Sequence, residues 1–476
     1  MRSRSIGGLT LALALMPTLT LTPSQARAAE PPALTGRPPG IVGGQACEPC
    51  EWPSVVALQT GGLCSATLVH PRVIVYAAHC GTLHTHALFG ESVASPARAV
   101  PILRCERNSE LFAVSSEDFA WCELAEPVED LAITPLLFGC DEALIEVGTP
   151  VTIVGFGDTE AEGPEQTGIK HAAQTEIVGS LSTVGIGGMG VGADAGDSGG
   201  PALVQLDDGS WRVLGIVSGG GGDGATVQYV PAPKTVAWIE DRSGIDITPC
   251  HAPDGSWAPT PACEGMFVGV EPSASWAAGC PGPVSPPSHR CGPAWTEIVD
   301  DEAPRVSLIE PADGAELEGP QVELVVLGEA EDLPEALNVG VAQVRLRVDG
   351  VAWLDVYGRE AVDEVPPYRF EGVRVEGEGP HTLTLEAVDH FGQVGAATAT
   401  IFVLGDADDE TDDATGDETG DETGDETDES GSETGPPLDD SPSTCACSSQ
   451  RPRGAEALLL CGLLLGLRAR RRTRAV

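Results

Sequence analysis

The apolar positions between Ile41 and Ser243 fall in short runs separated by glycine and proline: Val55-Val56-Ala57-Leu58, Val73-Ile74-Val75-Tyr76, Val151-Thr152-Ile153-Val154 and Val213-Leu214-Gly215-Ile216-Val217. Runs of this length, rich in β-branched residues and bounded by turn formers, predict buried strands of an all-β domain. About 200 residues of this kind are enough for a pair of small barrels. Pro233 to Asp241 departs from the pattern and predicts a short closing helix with Val236, Trp238 and Ile239 turned inward.

A different rhythm runs from Pro304 to Leu404, with strand-like stretches at Val306–Leu308, Val322–Val326, Val341–Val348, Tyr368–Val373, His381–Val388 and Ala397–Leu404. Val344, Leu346 and Val348 alternate with Arg345, Arg347 and Asp349, and Leu383, Leu385 and Ala387 with Thr384, Glu386 and Val388. Each strand therefore buries one face and leaves the other mostly wet. About seven strands in roughly 100 residues predict a β-sandwich. Residues 244–303, between these two regions, are rich in Pro, Ser and Trp and carry Cys250, Cys263, Cys280 and Cys291. Little there can form a large core, so two disulfides among the four cysteines are expected to hold it, in any of three connectivities. It contains no C-x-x-C pair, so structural zinc is not expected.

Composition and charge narrow the partners. The chain has 476 residues and a net charge of -46, from 72 acidic against 26 basic side chains. Such a surface repels phosphates, which excludes a nucleic-acid binder. With 41% apolar residues the chain is too hydrophobic to be wholly disordered. Arg2 and Arg4, the apolar stretch from Ile6 to Leu21 and the small residues of Ala26-Arg27-Ala28 predict a signal peptide over 1–28, followed by a propeptide over 29–40. Fourteen cysteines behind such a start predict disulfides in an oxidising compartment.

At the other end, Gly405 to Pro437 is almost wholly Asp, Glu, Thr and Gly, with Thr-Gly-Asp-Glu recurring from Thr415, Thr419 and Thr423. Having nothing to bury, 405–444 is expected to be an extended acidic linker. Its spacing matches no EF-hand loop, so no metal role is assigned to it. Residues 445–476 carry Cys445-Ala446-Cys447, an apolar run from Ala455 to Leu467, and Arg468, Arg470, Arg471, Arg472 and Arg474. The run is short for a membrane span of about 20 residues, and the arginines favour the cytoplasmic side. This order resembles the myxosortase-type C-terminal sorting tail of exported bacterial proteins. The resemblance implies sorting machinery as a partner, membrane contact through the tail, and attachment to the bacterial cell surface at the outer envelope.

Four short segments carry chemistry. Gly196-Asp197-Ser198-Gly199-Gly200-Pro201 sets a serine in a glycine-lined turn, where a substrate carbonyl can approach backbone N–H groups closely. A hydroxyl needs a base to become a nucleophile. Ala77-Ala78-His79-Cys80 offers an imidazole, and Glu117-Asp118-Phe119-Ala120 a carboxylate flanked by apolar residues that can orient it. Ile41-Val42-Gly43-Gly44 follows the expected propeptide.

Together, and in the order His, Asp, Ser, these segments resemble the chymotrypsin-like (trypsin-family) serine endopeptidases over 41–243. The resemblance implies two six-stranded β-barrels, cleavage of peptide bonds in protein or peptide substrates through an acyl-enzyme, and no cofactor or metal. It implies Ser198 as nucleophile, His79 as general base and then acid, Asp118 as the group that orients the imidazole, and the N–H groups of Gly196 and Ser198 as the oxyanion hole. Ser218 matches the family serine that borders the cleft and supports the aspartate, Cys64 and Cys80 match a family disulfide, and Gly155-Phe156-Gly157 is similar to the family's Gly-Trp-Gly turn. Cutting after Gly40 would free an amine on Ile41 to pair with Asp197, two charges that tolerate burial only together.

Departures from the family pattern limit the reading. Gly40 in place of Arg or Lys implies a separate activating protease. Gly192 stands where trypsin has its specificity aspartate, Asp194 where the family has a pocket cysteine, and Gly219-Gly220-Gly221-Gly222-Asp223 forms the pocket wall; preference for Arg or Lys is therefore unsupported, unless Asp194 or Asp223 reaches the pocket. His84 and His86 are read as part of an exposed loop rather than a metal pair. Pro49 and Trp52-Pro53 spoil a redox context for Cys47 and Cys50, so disulfides to Cys140 or elsewhere are expected, and the odd count from Cys47 to Cys140 leaves one cysteine free or paired outside.

Residues 304–404 resemble the Ig-like or fibronectin type III-like modules of bacterial surface proteins, through Pro311-Ala312-Asp313-Gly314, Val348-Asp349-Gly350 and Ala387-Val388-Asp389 followed by Phe391-Gly392. The sequence thus reads as a secreted, surface-attached serine endopeptidase. The competing reading is an inert protease-like scaffold that serves as a surface adhesin or binding protein.

Overall fold

The computed structural model describes residues 41–108, 116–158, 167–220, 224–332 and 340–405. The signal peptide, propeptide, acidic repeats and sorting tail expected from the sequence lie outside the described residues. No helix among the described residues is long and apolar enough to cross a membrane.

After a two-residue strand, β1 (Gln45–Ala46), six strands form the first barrel: β2 (Val55–Gln59), β3 (Leu63–His70), β4 (Val73–Tyr76), β5 (His86–Phe89), β6 (Arg98–Arg107) and β7 (Ala120–Leu124). They close in the order β2-β3-β4-β7-β6-β5, with β5 returning to β2. The second barrel comprises β8 (Pro150–Gly155), β9 (His171–Ser180), β10 (Val184–Gly187), β11 (Pro201–Gln205), β12 (Trp211–Gly219) and β13 (Thr226–Pro231). Its order is β9-β10-β13-β12-β11-β8, closed by pairing of β8 with β9, and β1 adds to β9. The fold is the chymotrypsin-like pair of six-stranded barrels, and the four apolar runs singled out above lie in β2, β4, β8 and β12.

Three hydrophobic clusters explain the rigidity of the pair. One fills the first barrel around Leu68, Ile74 and Tyr76, another fills the second around Ile153, Ile177 and Leu214. The third is a seam joining Val55, Val75 and Trp121 to Val154, Leu203 and Val213. Burial at about 25 cal/mol per Å² of apolar surface fixes the loops on either side of that seam. The helix α1 (Pro233–Ser243) begins with Pro233 and ends at Gly244, whose φ of +65° no β-branched residue would adopt readily. Val236 and Ile239 are buried as expected; Trp238 is half-buried and sets its edge on Phe119 at 5.4 Å.

Residues 244–303 contain only short 3₁₀ turns and isolated β-bridges and lie across the barrels as a strap. The expected pair of internal disulfides is corrected here: Cys250 bonds Cys263, but Cys280 bonds Cys50 and Cys291 bonds Cys140. The physical reason is the seam itself, because Phe267 is buried in it and Trp276 reaches Glu91 at 2.9 Å, which carries the flanking cysteines onto the barrels. Cys105 bonds Cys122, and Cys47 is the one free cysteine among the described residues.

The remaining strands are β14 (Arg305–Glu310), β15 (Glu316–Glu318), β16 (Gln321–Glu331), β17 (Val341–Val348), β18 (Val351–Ala352), β19 (Val362–Asp363), β20 (Tyr368–Glu376), β21 (Gly379–Asp389) and β22 (Val394–Leu404). Sheets β14-β16-β20 and β15-β22-β21-β17-β18, with β19 on β17, form a β-sandwich. The strands beyond the expected seven are pairings of only two or three residues. Val326, Phe370 and Val373 of one sheet share a core with Leu346, Leu383 and Leu385 of the other, following the alternation in the sequence.

Candidate active site

The site is built at the seam. His79 sits in a 3₁₀ turn (Ala78–Cys80) just after β4, and the Cys64–Cys80 disulfide ties that turn to β3. Asp118 precedes β7 and is 1% exposed. One of its oxygens accepts the His79 backbone N–H at 2.9 Å, and the other lies 2.7 Å from His79 Nδ1. That second oxygen also accepts the Ser218 hydroxyl, on β12, at 2.6 Å. The carboxylate is thus held by groups from both barrels, and His79 Nε2, on a side chain that is 38% exposed, has no hydrogen-bond partner among the described residues.

Ser198 stands on the loop between β10 and β11. Its carbonyl accepts the Ser65 N–H at 2.8 Å, which fastens the loop to β3 of the other barrel. Gly199, at φ +84°, presses against the end of β4: a Cβ there would come within 2.8 Å of Ala77 N and 2.9 Å of Tyr76 Cβ. Ser198 is therefore brought beside the turn that carries His79. No hydrogen bond joins Ser198 Oγ to the imidazole among the described residues, a bond that in such sites tightens when substrate binds. The N–H groups of Gly196 and Ser198 have no acceptor among the described residues, while Asp197, Gly199 and Gly200 between and after them all donate within the protein. Two unspent N–H donors, one of them the serine's own, can donate to a developing oxyanion.

Asp197 is fully buried. It accepts the N–H of Gly157 at 2.7 Å and of Asp194 at 3.0 Å. Burial pushes its carboxyl up to about 7, against these two bonds, which pull the other way. A Cβ on Gly157 would meet the Asp197 carboxyl carbon at 2.6 Å, so the Gly155-Phe156-Gly157 turn is glycine because it houses this side chain. Ile41 is 1% exposed, and Val42 pairs with Gly192, whose N–H donates to the Val42 carbonyl at 3.1 Å.

Of the expected cleft residues, Gly192 is buried where the 188–192 and 224–226 segments meet, since a Cβ there would lie 2.6 Å from the Ala225 carbonyl oxygen. Gly220 follows β12 at φ +81°, with Gln228 beside it. Asp194 turns one oxygen back to the Ala195 N–H at 2.8 Å, and Asp223 lies outside the described residues. The exposed-loop reading of His84 is corrected: it is 7% exposed and packs edge-on against Tyr76 at 5.2 Å, whereas His86 is exposed.

Sequence reasoning missed Ser65. Its hydroxyl donates to the Gly196 carbonyl and accepts from the Phe156 N–H, both at 3.0 Å, and so joins the serine loop to the turn around Asp197. Only its position next to Cys64 hinted at it.

The trypsin family model matches residues 41–239. Chymotrypsin-C of Rattus norvegicus is 30% identical over 248 residues, which cover 44% of this chain and 91% of that protein. Suppressor of tumorigenicity 14 protein homolog of Bos taurus is 27% identical over 242 residues; they cover 43% of this chain and 28% of the relative, so the chain spans little more than a quarter of its length. A solved structure of HL collagenase is 18% identical, with 43% of this chain and all of that chain covered and a TM-score of 0.37.

Proposed function

The chain belongs to the trypsin family of serine proteases, and from that premise we propose that it is an endopeptidase working through Ser198, His79 and Asp118. Ser198 Oγ attacks the scissile carbonyl while His79 Nε2 takes its proton. The new oxyanion is held by the N–H groups of Gly196 and Ser198. His79 then returns the proton to the leaving amine, and water repeats the sequence on the acyl-enzyme. Asp118 keeps Nδ1 protonated and stabilises the imidazolium. The observation that carries this reading is the double role of the Asp118 carboxylate, 2.7 Å from His79 Nδ1 and 2.6 Å from Ser218 Oγ.

Activation follows from the same chemistry. Release of residues up to Gly40 gives Ile41 an ammonium group, and the buried Asp197 carboxylate accepts, among the described residues, only two backbone N–H groups. Pairing the two lets Asp197 ionise and orders the oxyanion loop. With Gly192 at the cleft wall, the reading carries no preference for Arg or Lys. Five disulfides among the described residues suit an exported protein, and surface attachment through the sorting tail, with the sandwich as an Ig-like spacer, completes the proposal.

The test is labelling by a fluorophosphonate and hydrolysis of casein. Matured protein with a free Ile41 amine is expected to do both. Ser198→Ala should abolish labelling, and His79→Ala should lower kcat by about 10⁶. Labelling that persists in Ser198→Ala overturns the assignment of the nucleophile. Cleavage sites on a peptide library then give the preferred residue before the cut.

A further inference from the structure

We propose that Asp300, Asp332 and Asp389 form a calcium site that fastens the segment entering the sandwich to its sheet. Asp300 precedes β14, Asp332 follows β16, and Asp389 ends β21. One carboxylate oxygen from each lies within 4.8 Å of the other two. Acidic clusters are common on so negative a chain. What distinguishes this one is a buried carboxylate oxygen on each of Asp389 and Asp300 that no hydrogen bond among the described residues compensates.

Asp389 is only 2% exposed. Its Oδ1 accepts the N–H groups of Phe391 and Gln393, both at 2.8 Å, while its Oδ2 is buried and has no hydrogen-bond donor among the described residues. Asp300 shows the same division: Oδ1 takes the Glu302 N–H at 3.0 Å, and Oδ2 is buried without a donor among the described residues. The ion pairs of the sandwich use Arg72, Arg347, Arg359, Arg369, Arg374 and His381, and none involves Asp300 or Asp389 among the described residues. Folded proteins avoid a buried anionic oxygen with neither donor nor counter-ion, and where one persists an ion or water accounts for it. Three carboxylates this close repel one another away from bulk water, and a single divalent cation between them turns that repulsion into attraction.

The donor set selects the cation. Carboxylate oxygens alone suit a hard ion, not zinc or copper. They come from three separate segments, a loose arrangement that suits the variable coordination of calcium better than the strict octahedron of magnesium. Trp295 already stacks on Phe391 with 4.6 Å between ring centroids, which lays the entering segment on the β21–β22 turn. The cation would hold that segment at a second point. The three aspartates are far apart in sequence, so no local spacing marks them as a set.

The experiment uses the full-length protein, freed of metal with a chelator and titrated with Ca²⁺, Mg²⁺ and Tb³⁺. Ca²⁺ at about 1 mM, the range in which extracellular modules bind it, is expected to raise the unfolding midpoint. Tb³⁺ should bind with emission sensitised by nearby tryptophan and be displaced by Ca²⁺. The acidic repeats after Gly405 also attract cations, so the variants carry the test. Asp389→Asn keeps the Oδ1 acceptor for Phe391 and Gln393, and should lose both the midpoint shift and the sensitised emission. Asp300→Asn, outside the sheets, should weaken Ca²⁺ about tenfold or more. An undiminished Ca²⁺ response in both variants, or none in the wild type, overturns the site; an equal response to Mg²⁺ overturns the choice of calcium.

Discussion

Ser65 links three pieces of the candidate site through one side chain and one amide. Removing its hydroxyl strands the Gly196 carbonyl and the Phe156 N–H, a loss of about 1–3 kcal/mol. Because Gly196 supplies a proposed oxyanion donor, Ser65→Ala is expected to lower kcat about tenfold with little change in KM, and Ser65→Thr to recover part of it. Steady-state kinetics decide; a loss of stability with kcat intact would make Ser65 purely structural. Asp197 gives a second prediction, on the uncleaved precursor. Its carboxyl moves from an ordinary value of 3.8 to about 7 on folding. Between those values the folded chain holds a proton that the unfolded chain gives up, so stability is greatest below about pH 4 and falls as pH rises to about 7. At 1.36 kcal/mol per pH unit the loss approaches about 4 kcal/mol. Urea unfolding at pH 5 and 8 should show this slope in the precursor, and a weaker one in Asp197→Asn and in protein cut before Ile41.

At the scale of elements, strand periodicity was legible and the cysteine pairing of residues 244–303 was not. Alternation along β17 and β21 identified the buried residues because a strand sends successive side chains to opposite faces. Pairing depends on which Cα atoms come within about 6 Å, and residues 244–303 carry no periodicity that says where the strap will lie. The Cys50–Cys280 bond closes a loop of 230 residues, and Cys250–Cys263 one of 13. Chain entropy makes the longer loop the more stabilising. Cys280→Ser is therefore expected to lower stability by about 2–4 kcal/mol, and more than Cys263→Ser does, as read from thermal unfolding. The reverse order would mean that the strap is held mainly by Phe267 and Trp276.

At the scale of the molecule, the sandwich and the first barrel meet at Glu123. This buried carboxylate bonds Arg72 and Arg104 of the barrel and Arg359 of the sandwich. Burial alone would raise its pKa, but the three guanidiniums outweigh that and hold it near 2. Its contribution is present above about pH 4.5 and is lost as pH falls towards 2. Burial also pushes Glu240, on α1 itself, up to about 8 and Glu364, in the sandwich, to about 7, and the Asp246 N–H donates to Glu364 at 3.1 Å. Groups raised on folding act in the opposite sense: their contribution is full below about 4.5 and declines as pH rises to about 8. Stability of the intact chain should therefore peak near about pH 4.5, below the neutral range. Arg359→Gln, which removes one charged hydrogen bond from Glu123, should cost about 1.5–3 kcal/mol at that pH. A pH series of unfolding midpoints with its maximum at neutral pH would contradict both arguments.

The sequence by itself determined what depends on neighbours along the chain: strand and helix periods, the glycines around Ser198, the carboxylate and imidazole in their order, and the acidic, cysteine-bearing composition. Tertiary structure alone decided what depends on residues far apart: the housing of Asp197 by Gly157, the bridge at Ser65, the burial of His84, the disulfides that turn 244–303 into a strap, and the meeting of Asp300, Asp332 and Asp389. The physical reason is that burial and proximity are properties of packing. A local pattern fixes which face of an element is apolar, and only the closure of both barrels and the sandwich fixes which polar groups are left facing one another inside.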